Sequence, residues 1–141
     1  MTSASTSLAS STTTAPAADP LTAFEVVEVT LAGEAWSVAV ADTPALRSQG
    51  LMGVTGLGGL DGMLFAWPED VTSGFWMKDT LIPLDIAFFA ADGSLVDLLS
   101  MVPCEEDPCL TYRSSGVYRF ALEAPQGGFE GFDGVVLRLD L

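Results

Sequence analysis

The sequence predicts a mainly β protein, α+β at most, built as a compact antiparallel barrel or sandwich. We expect seven or eight short strands with one or two short helices. Several short segments carry apolar residues at every second position, which is the pattern of half-buried strands. Glycine- and proline-containing turns separate these segments at close spacing. No helical segment is long enough to provide repeated parallel crossover connections, so an antiparallel arrangement is favoured.

The first 22 residues are predicted to form a disordered tether. As far as Pro20 they consist mainly of Ser, Thr, Ala and Pro, and Asp19 is their one charge. Such a composition buries too little apolar surface to offset the entropy lost on ordering. We therefore expect a tether at 1–22 and a single domain at 23–141, acting as a monomer.

The domain is predicted to begin with a β-hairpin. Residues 24–31 and 35–41 both alternate between apolar and other side chains, and 32–34 form a short turn between them. A short helix of one or two turns should follow. Asp42 or Thr43 can cap its N-terminus, Pro44 suits its first position and Gly50 can end it.

Further short strands are expected along the rest of the chain, some of them alternating and one, 84–89, nearly continuous in its apolar residues. The glycine-rich stretch 53–61 is expected to be irregular. Ala91-Asp92-Gly93 is a strong turn signal. The other predicted strands are residues 62–67, 74–78, 84–89, 94–101, 117–123 and 135–141.

Charge and composition exclude several classes of function. The chain has 5 Lys and Arg against 19 Asp and Glu, for a net charge of −14. Such a surface repels phosphate backbones and anionic lipid, so we expect neither nucleic-acid binding nor docking on an anionic membrane. The absence of histidine removes Ser-His and Cys-His nucleophile pairs and imidazole metal sites. We predict no cofactor and no metal site.

The chain is expected to act outside the cytoplasm, secreted or anchored to the cell surface. No apolar run approaches the roughly 18 residues of a membrane span, and we expect a signal or lipid anchor to have preceded the tether. Cys104 and Cys109 enclose a short loop with two prolines. A structural disulfide is the favoured interpretation, with free thiols or a redox pair as alternatives.

Three motifs identify a family resemblance. They are R-S-Q-G-L-M at 47–52, G-M-L-F at 62–65 and G-F-W-M-K-D-T-L-I-P-L-D at 74–85, followed by Asp92-Gly93 ahead of a strand. In this order they resemble the DUF192 family over residues 24–141. The resemblance implies a compact β-rich domain, often found in exported proteins, and it implies no reaction.

The candidate site lies around Lys78, the only lysine of the chain. If a bend near Pro83 folds the chain back, Asp85 can reach Lys78 or backbone amides. One interpretation is a polar cluster of Arg47, Lys78, Asp79 and Asp85 beside Trp76 in an aromatic cleft. The alternative is that Asp85 and Lys78 pair for structure and that Trp76 is buried.

Three functions follow from these alternatives. The leading hypothesis is a non-enzymatic accessory module that binds a small polar ligand, a glycan or a partner protein at Trp76, Lys78 and Asp85. The second is a hydrolytic enzyme in which Asp85 is the base and Lys78 or Arg47 stabilises an anion. The third is a purely structural module on a stalk. The sequence does not identify the catalytic residues of the second hypothesis.

Overall fold

The computed structural model describes residues 20–129 and 137–139. They include a 3-10 helix, Pro20–Ala23, one α-helix, α1 (Pro44–Gln49), and nine strands. The strands are β1 (Glu25–Leu31), β2 (Glu34–Ala41), β3 (Gly62–Val71), β4 (Phe75–Trp76), β5 (Leu84–Phe89), β6 (Leu95–Met101), β7 (Thr111–Tyr112), β8 (Tyr118–Pro125) and β9 (Leu137–Leu139). The predicted tether at 1–22 lies outside the described residues, apart from its last three, which belong to the 3-10 helix.

Seven of these strands form one sheet in the order β6-β5-β8-β3-β2-β1-β9, and β4 pairs with β7 in a second, small sheet. Every pairing is antiparallel except that of β2 with β3. The mainly β fold with one or two short helices is thus confirmed. It contains one parallel pair, and the described residues hold one strand more than the upper predicted number.

The predicted N-terminal hairpin is confirmed by the pairing of β1 with β2. Its two turn residues, Ala32 and Gly33, have φ angles of 54° and 79°. Positive φ at both central residues is the type I′ geometry, whose twist matches that of the flanking strands.

The parallel pair is possible because α1 and the loop after it cross from the end of β2 to the start of β3. Thr43 caps α1 by accepting a hydrogen bond on Oγ1 from the Leu46 amide at 3.2 Å. Pro44 occupies the first turn, and Gly50 ends the helix with a φ of 48°. The predicted helix is confirmed, and it places Arg47 over one face of the large sheet.

Each face of the large sheet carries its own hydrophobic core, because successive side chains of a strand point to opposite faces. Met63, Phe65, Ile86 and Phe88 belong to the core under α1 and the small sheet. Leu64, Phe89 and Leu122 belong to the opposite core, together with side chains of β1, β2 and β9. The sheet curls around this second core, since the Leu137 amide of β9 donates to the Gly93 carbonyl between β5 and β6 at 2.8 Å.

Two details of the strands differ from the sequence prediction. β3 continues past Trp67 and through Pro68 to Val71, with a register shift against β8 between Ala66 and Val71. Proline is tolerated there because irregular pairing leaves no ladder bond for it to donate. The two-residue strand β7 was not predicted. Of the predicted strand at 135–141, residues 135, 136, 140 and 141 lie outside the described residues.

The cysteine loop is closed by a disulfide between Cys104 and Cys109, as the favoured interpretation predicted. Along the described ranges, no helix has the length and apolar character required to cross a membrane.

Candidate functional site

A cavity of about 370 Å³ opens between α1, the loop that follows it and β4, on the face of the sheet that α1 covers. Aromatic rings from β3 and β4 form its walls, and one carboxyl group from β8 lies at its base. The side chains that matter most below are Arg47, Phe65, Trp67, Phe75, Trp76 and Glu123.

Glu123 is a buried acid in the centre of the large sheet. Its strand, β8, lies between β3 and β5, where Glu123 pairs with Met63 and Ile86 and therefore shares their face. Glu123 is only 5% exposed. Burial raises the pKa of its carboxyl group to about 8, so the group is neutral at pH 7.

The Glu123 carboxyl has no protein partner among residues 20–129 and 137–139: none of them donates a hydrogen bond to it or forms an ion pair with it. The backbone around it is tightly packed, because any side chain at Gly62 would collide with the Glu123 carbonyl. The carboxyl oxygens reach the solvent of the cavity, since among the described residues the one buried side-chain oxygen without a partner is Asp85 Oδ1.

Arg47 is held at the edge of the cavity by two contacts with β3. Its Nη1 donates to the Ala66 carbonyl at 2.8 Å, and its guanidinium carbon lies 5.3 Å from the centre of the Trp67 ring. The last pair between β2 and β3 is Ala41 with Phe65. Beyond it β2 offers no further residue that could donate a hydrogen bond to the Ala66 carbonyl, and Arg47 does so instead. Arginine carries five N–H donors, so these contacts leave others for a ligand.

The aromatic walls are built by edge-to-face packing. Phe75 meets Phe65 at 5.1 Å and Trp67 at 6.0 Å between ring centres, both nearly perpendicular. Trp67 also packs against Tyr118 at 5.3 Å. The Tyr118 hydroxyl donates to the Ser73 carbonyl, and burial raises the pKa of this phenol to about 12. The segment that enters β4 is therefore fixed to the core.

The residues after β4 form a tight turn that closes one side of the cavity. The Thr80 amide donates to the Met77 carbonyl at 3.1 Å, and Asp79 has a φ of 56°. Aspartate is among the few residues that accept this left-handed conformation. The Asp79 carbonyl accepts from the Gly53 amide at 2.8 Å, which ties the turn to the loop after α1. Asp79 thus has a backbone role, and its side chain is exposed.

Lys78 and Asp85 do not meet. The Lys78 ammonium lies 5.3 Å from the centre of the Trp76 ring, and within the described part of the chain no ion pair joins it to Asp85. Asp85 shares a face with Ala87 and Phe89, opposite the cavity. One of its oxygens accepts from the Gly127 amide at 2.9 Å, and the other is buried without a described partner.

The structure therefore brings together part of the predicted cluster. Arg47 and Trp76 line the cavity, and Lys78 lies beside Trp76. Asp79 and Asp85 are not among the lining residues. Sequence reasoning missed Glu123, although a signal was present: Ala121, Leu122 and Ala124 surround it, and a strand that is apolar on both faces is buried on both faces.

The cysteine loop offers no metal centre. Within the described ranges, the one group of Cys, Asp and Glu side chains close enough to share an ion is Cys104, Asp107 and Cys109. Its two sulfur atoms are joined in the disulfide and are not free to act as thiolate ligands.

Comparison with known proteins now places the chain in a family. The DUF192 family model, described as "Uncharacterized ACR", matches residues 27–134. The chain belongs to the DUF192 family. The resemblance drawn from the three sequence motifs is thereby confirmed, and the function of this family is unknown.

Two solved structures resemble this DUF192 domain over most of their length. One is a protein of unknown function from Novosphingobium aromaticivorans DSM 12444, with 30% identity, a TM-score of 0.74 and coverage of 87% of this chain and 91% of that one. The other is a putative transcription regulator from Sinorhizobium meliloti 1021, with 29% identity, a TM-score of 0.71 and coverage of 81% and 93%. No curated protein matches the chain significantly.

Proposed function

We propose that this domain is a non-enzymatic binding module that takes a small polar ligand into the Glu123 cavity. The observation that carries the proposal is the buried Glu123 carboxyl, which lacks a described protein partner and lines a cavity open to solvent. Water in the cavity can hydrogen-bond to this carboxyl in the absence of a ligand. A ligand that hydrogen-bonds to it replaces that water in a largely buried site of low dielectric, where hydrogen bonds are stronger than in bulk solvent.

The chemistry of the cavity suits a ligand with a polar and an apolar side. A neutral carboxyl group both donates and accepts hydrogen bonds, and Arg47 adds further donors at the edge. Trp76 is 50% exposed and offers an apolar surface against which a ring could pack. The volume of about 370 Å³ lies near the lower end of ligand cavities, which favours a molecule the size of one sugar unit, free or at the end of a glycan.

The cellular setting that we propose is extracytoplasmic, and the Cys104–Cys109 disulfide supports it because such bonds persist in oxidising compartments. We keep the prediction of a monomer that does not bind nucleic acid. The Sinorhizobium meliloti relative is described as a putative transcription regulator, but a net charge of −14 argues against DNA binding by this chain.

Thermal unfolding across a ligand panel tests the proposal. The panel contains sugars, cell-wall fragments, organic acids, nucleotides and metal ions. A ligand at 100 times its dissociation constant should add about 2.7 kcal/mol of stability. The shift should disappear in Glu123→Leu and persist in the matched variant Glu28→Leu, since Glu28 is an exposed acid on β1. A shift that survives Glu123→Leu, or a panel without any shift, would contradict the proposal.

A hydrolytic enzyme is the second candidate, and Glu123 itself is the observation in its favour. A carboxylic acid that stays protonated near neutral pH is suited to act as a general acid. The cavity-lining residues include no second carboxylate, however, and Asp85 lies across the sheet from Arg47. Turnover of glycosides or esters that is lost in Glu123→Gln would favour the enzyme over the binding module.

A further inference from the structure

One cationic side chain of this acidic protein lines the cavity, and two others lie near residues of its lining. Arg47 lines it, and Lys78 stacks on Trp76, a wall residue. Arg113 lies beside Gly74, another lining residue: a Cβ atom added to Gly74 would be 3.3 Å from the guanidinium carbon of Arg113. Arg47 is thus the cation of the lining, and Lys78 and Arg113 each lie next to one other lining residue.

A fourth cation, Arg119, is not part of this arrangement. Arg119 forms an ion pair with Asp70, with 2.9 Å between Nη2 and Oδ1, and Arg138 belongs to β9. Among the cations whose side chains the structure describes, Arg119 has a carboxylate partner, whereas Arg47, Lys78 and Arg113 have none.

An exposed carboxylate also lies near these cations, since Asp79 follows Lys78 in the turn beside the cavity. Glu123 is the one carboxyl group among the cavity-lining residues, and burial keeps it neutral at pH 7. The one ionised side chain of the lining at pH 7 is therefore Arg47, although the protein as a whole is strongly negative. Charges separated by more than about 8 Å are largely screened at physiological ionic strength, so Arg47 outweighs the distant acidic surface for a ligand inside the cavity.

We propose that the ligand of this cavity is a small organic anion. Its negative charge is held by the Arg47 guanidinium, its other polar atoms reach the Glu123 carboxyl, and its apolar part lies against Trp67 and Trp76. Guanidinium groups match both carboxylate and phosphate oxygens. This inference rests on the proposed binding function and specifies the ligand class for that same cavity.

The protonation of Glu123 gives the proposal a second, independent signature. Of the residues around Glu123, β3 contributes Met63, β5 contributes Ile86, and the turn after β4 contributes Thr80. None of these is charged, and Arg47 is the other charged side chain of the lining. Ionisation of Glu123 above pH 8 would place a negative charge beside a bound anion, so anion affinity should fall by about tenfold per pH unit there.

Four ring compounds that differ in the head group test the proposal: benzoate, phenyl phosphate, benzamide and benzylamine. Each is titrated into the full chain at pH 7 while the backbone amides are followed by NMR. We expect benzoate or phenyl phosphate to shift the amides of residues 47–52 and 73–76. We expect it to bind at least about tenfold more tightly than benzamide, with benzylamine weakest. The anion that binds more tightly shows whether the site prefers a carboxylate or a phosphate group.

The controls separate failure of this inference from failure of the binding function. Arg47→Met should abolish the preference for the anion over benzamide, and Arg119→Met should preserve it. If Arg47→Met does not fold, the loss of anion affinity between pH 8 and 9 in the wild type supplies the same decision. If benzamide or benzylamine bound as tightly as the anions or more tightly, the inference of an anionic ligand would be wrong, whereas the proposed binding function would stand. No shift of the cavity amides by any compound would overturn both.

Discussion

Replacing Glu123 by glutamine should stabilise the protein, and the gain should grow with pH. A glutamate in the unfolded chain has the ordinary pKa of 4.5, whereas burial raises the pKa of Glu123 in the folded protein to about 8. Below pH 4.5 both states are protonated and the residue costs nothing through ionisation. As the pH rises, the unfolded chain gains the free energy of ionisation first, so stability falls until the folded state also ionises above pH 8.

The magnitude follows from the two pKa values. Each pH unit between 4.5 and about 8 removes about 1.4 kcal/mol, which amounts to about 3 kcal/mol at pH 7 and about 5 kcal/mol above pH 8. Because Glu123 is almost fully buried, solvent screening does not reduce this figure substantially. Glutamine keeps the shape of the side chain and cannot ionise, so Glu123→Gln should remove the dependence.

Urea unfolding at pH 5, 6, 7 and 8, followed by tryptophan fluorescence, measures the effect. The remaining carboxyl groups titrate equally in both proteins, so the difference between wild type and Glu123→Gln isolates this residue. The exposed Glu28→Gln serves as control and should run parallel to the wild type. A wild-type to Glu123→Gln difference that stays constant over this range would refute the reasoning, because Glu123 would then be ionised in the folded state.

Three further predictions concern the fold. Ala32→Asn should raise the free energy of unfolding by about 1 kcal/mol, because Ala32 shares the positive-φ turn with Gly33 and asparagine tolerates that conformation; an unchanged urea midpoint would contradict this. Replacing Cys104 and Cys109 by serine should lower stability by about 2 kcal/mol through the loss of loop closure. The same account expects no free thiol in the unfolded, unreduced wild type, and two titratable thiols would exclude the disulfide. Thr43→Ala should cost about 1 kcal/mol by removing the cap of α1, whereas Thr43→Ser should retain most of the stability; equal urea midpoints for the two variants would argue against the cap.

The sequence predicted those strands whose alternation extends over several residues. The β1–β2 hairpin follows it closely, because a one-residue slip would turn every apolar side chain to the wrong face, whereas β5 was predicted from a nearly continuous apolar run. The strands β4 and β7 have two residues each, too few to establish a period. The parallel pairing of β2 with β3 could not be predicted either, because an alternating pattern indicates a strand but does not show which other strand pairs with it.

The candidate site was predicted in part for a similar reason. Arg47 and Trp76 lie in motifs whose local structure was clear, and both line the cavity. The expected contact between Lys78 and Asp85 assumed that a bend would bring the two side chains to one side. The chain turns at Met77 to Thr80 and bends again at Ile82, next to Pro83, but Asp85 follows the alternation of β5 and faces the opposite core.

Glu123 shows where attention to composition would have added to the prediction. An acid that interrupts an apolar strand is unusual, because Glu is rarely buried without a partner. Its position between Leu122 and Ala124 was visible in the sequence. What the sequence could not supply was the cavity itself, which depends on how α1 and β4 pack over β8.

The measurement that tests the account most directly is a ¹³C NMR titration of the Glu123 side-chain carboxyl, with and without benzoate. We predict a midpoint near pH 8 in the free protein, and a higher midpoint when benzoate is bound, because a nearby anion disfavours ionisation. A midpoint near 4.5 that no ligand displaces would contradict the account, since Glu123 would then be neither a neutral buried acid nor part of a binding site.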